Sequence, residues 1–299
     1  MALSGGVTSY LSGNPANVQR PVRGGLALMG GGEDQEEAFR FLVEQGGGGD
    51  VLVLRASGSD GYNQWLMDVA MPDSVETLVF HSREAAFDPE VIEKIDEAEV
   101  LFLAGGDQSK YLRYWKDTPL QAALQRALLR GVPLGGTSAG LAVLGDSIFA
   151  AHAGGLDSQE VMACPTDPRI TLEPAFLEIP QMKGVLPDTH FAQRDRQGRL
   201  AGFLAHHQGQ MRGLGVDEAT ALLVDPHGRG QVVGKHQVYW VDPKGPAEVF
   251  QEGEPLSYGP LSVRVLSAGD RLELHQGEVE GGGSEVWDVR EGHIRILPG

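Results

Sequence analysis

A chain of 299 residues has room for one large domain or for a main domain with a smaller appendage. Its formal net charge of −17 disfavours nucleic acid and anionic membrane as partners, since phosphate binding relies on dense Lys and Arg. Hydrophobic content of 41% is ordinary for a globular protein, no apolar run is long enough to span a bilayer, and the single cysteine, Cys164, excludes an intramolecular disulfide and any cysteine-based metal cluster.

In chain order, residues 1–22 are polar and Gly/Ser/Asn-containing and lack the basic start and apolar stretch of a secretory signal. They read as a flexible N-terminal arm, and the missing signal argues for the cytoplasm. Residues 23–29 form a short buried strand, after which Gly30, Gly31 and Gly32 open into a helix over 33–43 with acids in its first turn. This unit has the outline of a nucleotide loop but fails as one: Gln35 stands where a G-x-G-x-x-G fingerprint needs glycine, and Glu33 and Asp34 would repel phosphate. A flexible glycine connection at 46–49 leads to a strand over 50–55, a polar loop to 63, a helix over 64–70, a strand over 74–80, a helix over 89–97 and a strand over 99–104. Glycines follow again at 105–106, then a helix over 110–115 and a longer one that starts at Thr118-Pro119 and runs to Arg130.

Strands alternating with helices predict a mostly parallel, doubly wound α/β sheet covered on both sides, with ligands at the carboxyl edge of its strands. The loops at 30–32, 105–108 and 136–140 should meet there. From Gly230 onward apolar residues alternate with polar ones between turns, which predicts antiparallel strands that extend the sheet or pack beside it. The expected organisation is an α/β hydrolytic domain over 23–228 and a β-rich C-terminal extension of it over 229–299.

The run Gly136-Thr-Ser-Ala-Gly140 fits the G-x-S-x-G nucleophile elbow. There a serine stands on a cramped strand-to-helix turn whose neighbours must be small, with the following amide ready to donate to a developing oxyanion. Ser138 is thus a candidate nucleophile, and a serine needs a base that is itself held by an acid. Of the nine histidines His190 stands out, because it ends an apolar run and would project from the carboxyl edge.

Four ordered motifs together resemble the cyanophycinase branch of the S51 serine peptidases, related to the aspartyl dipeptidases: Gly105-Gly-Asp-Gln108, Gly136-Thr-Ser-Ala-Gly140, Asp188-Thr-His-Phe191 with Arg194, Arg196 and Arg199, and Gly215-Val-Asp-Glu-Ala-Thr-Ala-Leu222. The resemblance runs from about Gly25 into the β tail and implies a class I glutamine amidotransferase-like sheet with serine in place of cysteine. It implies Ser138 as nucleophile, His190 as general base, and Gly106 and Ala139 as oxyanion amides. It places the triad acid between serine and histidine, at Glu160 in preference to Asp157. It further implies a substrate pocket of Gln108, Asp188, Thr189, Arg194, Arg196 and Arg199, with Thr189 standing where cyanophycinases usually carry glutamine. The expected substrate is a peptide of the β-Asp-Arg type, the reaction needs neither cofactor nor metal, and the protein is a cytoplasmic homodimer.

Overall fold

The computed structural model describes residues 6–299. The first half runs β1 (Val7–Gly13), β2 (Leu26–Met29), α1 (Glu36–Gln45), β3 (Asp50–Arg55), α2 (Asn63–Val69), β4 (Ser74–Phe80), α3 (Pro89–Glu97), β5 (Val100–Leu103), α4 (Gln108–Trp115), α5 (Pro119–Leu129), β6 (Leu134–Thr137) and the short α6 (Ala139–Ala142). Then follow β7 (Ser147–Phe149), α7 (Ser158–Ala163), β8 (Leu172–Pro174), β9 (Val185–Asp188), α8 (Gln197–Ala205), β10 (Arg212–Val216) and β11 (Thr220–Val224). The tail supplies β12 (Arg229–Gly234), β13 (Val238–Pro243), β14 (Tyr258–Leu266), β15 (Arg271–Glu273), β16 (Glu278–Glu280), β17 (Gly283–Arg290) and β18 (His293–Pro298).

Among the described residues these strands make a ten-stranded sheet in the order β1-β4-β3-β5-β6-β2-β11-β12-β15-β16, a six-stranded sheet in the order β18-β17-β14-β13-β10-β9, and the pair β7-β8. Strands β4, β3, β5, β6 and β2 are mutually parallel, with β1 paired antiparallel to β4 on one side and β11 antiparallel to β2 on the other. The tail strands therefore divide: β12, β15 and β16 extend the large sheet, while β13, β14, β17 and β18 join β9 and β10 in the second.

The parallel core strands are apolar on both faces because helices cover both. Leu52, Leu54, Leu101 and Leu103 face Val91, Ile95, Leu120 and Leu124 of α3 and α5. Their alternates Val51, Val53, Val100 and Phe102 face Phe39, Leu42 and Leu66 of α1 and α2. The helices begin where side chains can take up free amides: Asp88 accepts from Glu90, Asp107 from Ser109 and Thr118 from Gln121, with Pro89 and Pro119 in first-turn positions where a missing N–H costs nothing. A third cluster, with Leu200, Phe203 and Leu204 of α8 against Val241, Val263 and Trp287, fills the second sheet.

Two expectations are corrected. Residues 1–5 of the expected arm lie outside the described residues, but Val7–Gly13 is an edge strand in register with β4, Val7 opposite Phe80 and Gly13 opposite Ser74. Its inward positions include Ser9, whose hydroxyl donates to Glu76, so a polar composition conceals a paired strand. The glycines at 46–49 are a hydrogen-bonded helix end, with Gly46 N donating to Leu42 O and Gly48 N to Val43 O.

Candidate active site

Because β6 lies between β5 and β2, the loops that leave the carboxyl ends of these three strands stand side by side. The middle one carries Ser138. Its backbone has φ +52° and ψ −116°, a left-handed conformation that a non-glycine residue keeps only where its surroundings enforce it. The flanking glycines are steric necessities: a Cβ on Gly136 would lie 2.6 Å from the Gly140 carbonyl oxygen, and one on Gly140 would lie 1.9 Å from the Leu103 carbonyl oxygen.

The histidine arrives from the other sheet. Strand β9 ends at Asp188, and two residues later His190, also left-handed at φ +46°, donates its backbone N–H to Gly30 O at 2.8 Å. Its Nε2 lies 2.7 Å from Ser138 Oγ. Its Nδ1 lies 2.6 Å from Glu218 Oε1. With Nδ1–H donated to the carboxylate, Nε2 carries the lone pair that accepts the serine hydroxyl. Burial pushes His190 below its usual 6.5, as do Arg194 and Arg196, while Glu218 pulls the other way. The imidazole is thus neutral at neutral pH, the state a general base requires.

Glu218 occupies the turn between β10 and β11, where its backbone N–H donates to Gln193 Oε1 at 2.9 Å. The neighbouring Asp217 is buried and accepts from the backbone amides of Ala192 at 2.8 Å and Gln237 at 3.1 Å, which ties the residues after His190 to the second sheet. Of the three glycines after β2, Gly30 lies against the Val216 and Asp217 backbone, and Gly31 and Gly32 lie against His190 and Glu218. A Cβ on Gly31 would come within 2.4 Å of the His190 ring, and one on Gly32 within 2.9 Å of Glu218 Cβ. Their sequence signal is close approach to a side-chain pair.

Glu160 is not the acid. It is the third residue of α7 in a capping box: Asp157 Oδ1 accepts the Glu160 amide at 2.8 Å, Glu160 Oε2 accepts the Asp157 amide at 3.0 Å, and Glu160 Oε1 pairs with Arg169 at 3.0 Å. The two candidate acids, Asp157 and Glu160, therefore start a helix, and the carboxylate that meets His190 comes after it in the chain. Glu218 was available within the quoted Gly215–Leu222 motif, where an acid follows the end of a strand and precedes the next.

The residues expected to bind oxyanion and substrate separate into groups. Gly105 runs beside the serine, a Cβ there falling 3.5 Å from Ser138 Cβ, which brings the loop that carries Gly106 next to the turn that carries Ala139. Gln108 opens α4, and its Nε2 donates to Phe149 O at 3.4 Å. Arg194 is exposed, and its guanidinium makes no hydrogen bond or ion pair among the described residues. Arg196 is partly buried, its Nη1 donating to Thr189 O at 2.6 Å and lying 3.3 Å from Asp188 Oδ1; burial lowers it to about 10. Asp188, Thr189 and Arg199, expected to face substrate, are instead only 4%, 4% and 5% exposed, because Asp188 and Arg199 pair with each other inside the protein. Among the described residues, no group of three or more His, Cys, Asp or Glu could hold a metal ion, and no helix is long and apolar enough to cross a membrane.

A profile of Peptidase family S51 matches residues 74–229, just over half of the chain. Over 209 residues the chain is 32% identical to a cyanophycinase from Trichormus variabilis, a match that covers 68% of this chain and 66% of that protein; the chain thus spans just under two thirds of that relative's length. It is 29% identical over 274 residues to a cyanophycinase from Geminocystis herdmanii, covering 85% of this chain and 96% of the relative. A solved peptidase from an acI-B1 Actinobacterium superposes with a TM-score of 0.58 at 21% identity, over 85% of this chain and 98% of the other, which shows the shared fold.

Proposed function

Because the chain belongs to peptidase family S51, we propose that it is a serine peptidase of the cyanophycinase kind, hydrolysing amide bonds in peptides built from β-Asp-Arg units. The single observation that carries this reading is the unbroken hydrogen-bond relay Ser138–His190–Glu218, with links of 2.7 and 2.6 Å.

In the proposed reaction Ser138 Oγ attacks the scissile carbonyl while His190 Nε2 takes its proton, and Glu218 stabilises the imidazolium that forms. The oxyanion develops between the amides of Gly106 and Ala139. One such donor is worth about 10²–10³ in kcat. His190 then protonates the departing amine, and water, activated by the same imidazole, releases the acyl group and restores the serine. No cofactor enters the cycle.

Substrate selection is read from the arginines. In a chain of net charge −17, Arg194 and Arg196 set guanidinium donors beside His190, and a guanidinium fork suits the carboxylate of an aspartyl unit. Thr189 supports a second reading. Its side chain is buried and its Oγ1 lies 3.4 Å from Arg196 Nη1, so it lacks the amide that glutamine would offer at this position, which favours short α-aspartyl peptides as the alternative substrate. The same reading takes the protein to be a cytoplasmic homodimer, checked by sedimentation and by cell fractionation.

The test is a side-by-side panel of insoluble cyanophycin, β-Asp-Arg oligomers and α-aspartyl dipeptides. Release of β-Asp-Arg from the first two supports the proposal, cleavage of the dipeptides alone moves it to the second reading, and no cleavage at all removes it. Ser138→Ala should lower turnover by about 10⁴-fold or more with the melting temperature retained.

A further inference from the structure

Resting on the serine-peptidase reading, we propose that Arg199 is a positioning residue: through Asp188 it fixes the turn that aims His190 at Ser138, and it does not hold the substrate.

Arg199 is buried, and each of its three guanidinium nitrogens already donates to a protein oxygen. Its Nε donates to Asp188 Oδ2 at 2.9 Å, its Nη2 to Asp188 Oδ1 at 2.5 Å and its Nη1 to Leu156 O at 3.0 Å. The stacked rings of Phe149 and Phe203 lie 5.4 and 5.7 Å from its guanidinium carbon and pack against it together from one side. Asp188 is equally committed, its Oδ1 also accepting the Thr189 amide at 2.8 Å. A bidentate guanidinium fixes a carboxylate in orientation as well as in place.

What this pair orients is the end of β9. Asp188 is the last residue of that strand, and the backbone must turn within two residues to hold His190 at φ +46°, a conformation that persists only where neighbouring contacts over-determine it. Asp188 supplies those contacts from below the turn, and Arg196 adds one to Thr189 O. The other end of the clamp lies in the segment between β7 and α7. Leu156 belongs to it, Phe149 ends β7 just before it, and Ser158, the first residue of α7, accepts the Arg199 backbone amide on its hydroxyl at 2.9 Å. The segment that separates nucleophile from base in the chain is thus joined to the base through one side chain. Arg194 provides the contrast, being closer to His190 in sequence yet exposed and unpaired.

The experiment measures fluorophosphonate labelling of Ser138, which reports alignment of serine and histidine without substrate, next to kcat and KM on the cleaved peptide. Lysine cannot reproduce the two-point grip of the guanidinium. Arg199→Lys should therefore slow labelling and lower kcat by at least about tenfold with KM within twofold, as a displaced catalytic group does. Arg194→Lys should instead raise KM. If stranding the Asp188 charge prevents Arg199→Lys from folding, as thermal melting would reveal, the double variant Arg199→Met with Asp188→Asn removes both charges together and should fold and label slowly. A folded Arg199 variant that labels within twofold of the wild-type rate overturns the proposal. A wild-type protein that does not label removes the serine-peptidase reading itself, a result distinct from the first.

Discussion

Two left-handed residues face each other across 2.7 Å, and they are held by opposite means. Around Ser138 the constraint is steric and local: Gly136 and Gly140 sit so close to neighbouring carbonyls that no side chain fits. Around His190 the constraint is polar and gathered from near and far: Asp188 and Arg196 contact its neighbour Thr189, while Gly30 and Asp217 reach His190 and Ala192 from other stretches of chain. A conformation enforced by missing side chains leaves its mark in five consecutive letters, whereas one enforced by scattered side chains leaves none that can be read in a row.

The largest break in this comparison should come on the steric side. Gly140→Ala forces a Cβ within 1.9 Å of the Leu103 oxygen, well beyond ordinary overpacking, and should cost more than about 3 kcal/mol of stability in chemical denaturation. A loss below about 1 kcal/mol would show that the elbow can relax, because a modest overpacking is then absorbed.

On the polar side, Glu218→Gln keeps the shape of the acid and removes its charge. It should lower kcat by about 10³–10⁴-fold while the fold survives, measured on the cleaved peptide. Asp157→Ala, which removes a helix cap, should cost about 1 kcal/mol in melting experiments and leave kcat unchanged. The reverse pattern would return the acid to the segment between serine and histidine.

The smallest effect sharpens the electrostatics. His190 must be neutral to accept a proton, and burial together with Arg194 and Arg196 holds it below 6.5, so kcat/KM should stay flat on descending to that value and fall at lower pH. Removing one cation makes protonation easier. Arg194→Ala should therefore move the midpoint of the acid limb upward, and a downward shift in the pH profile of kcat/KM would contradict this electrostatic role.

Most of the architecture was legible, because continuous apolar runs such as 50–55 and 100–103 alternate with capped helices, and that rhythm is a property of neighbouring residues. The serine and histidine were legible from the elbow and from an apolar run ending in a polar ring. The acid was not. Asp157 and Glu160 carry the spacing of a capping box, a helix-start signature, and drew attention away from Glu218, whose role arises only when β10 and β11 bring their turn beneath the histidine. The three arginines read alike in sequence, and burial together with the pairing to Asp188 separates Arg199 from Arg194. The first strand escaped because an edge needs only one apolar side, and Val7–Gly13 meets that need with little hydrophobicity.

Ser138 stands on the ten-stranded sheet, His190 follows a strand of the six-stranded sheet, and Glu218 sits on the turn between β10 and β11, which passes from the second sheet to the first. The relay is therefore a seam between two separately hydrogen-bonded bodies, and it closes only when they dock. Leu214, Val216, Val238 and Trp240 of the second sheet share one apolar core with Leu28, Leu134 and Leu222 of the first, so the alignment of the relay is set by that common packing and a cavity opened there is felt at the seam.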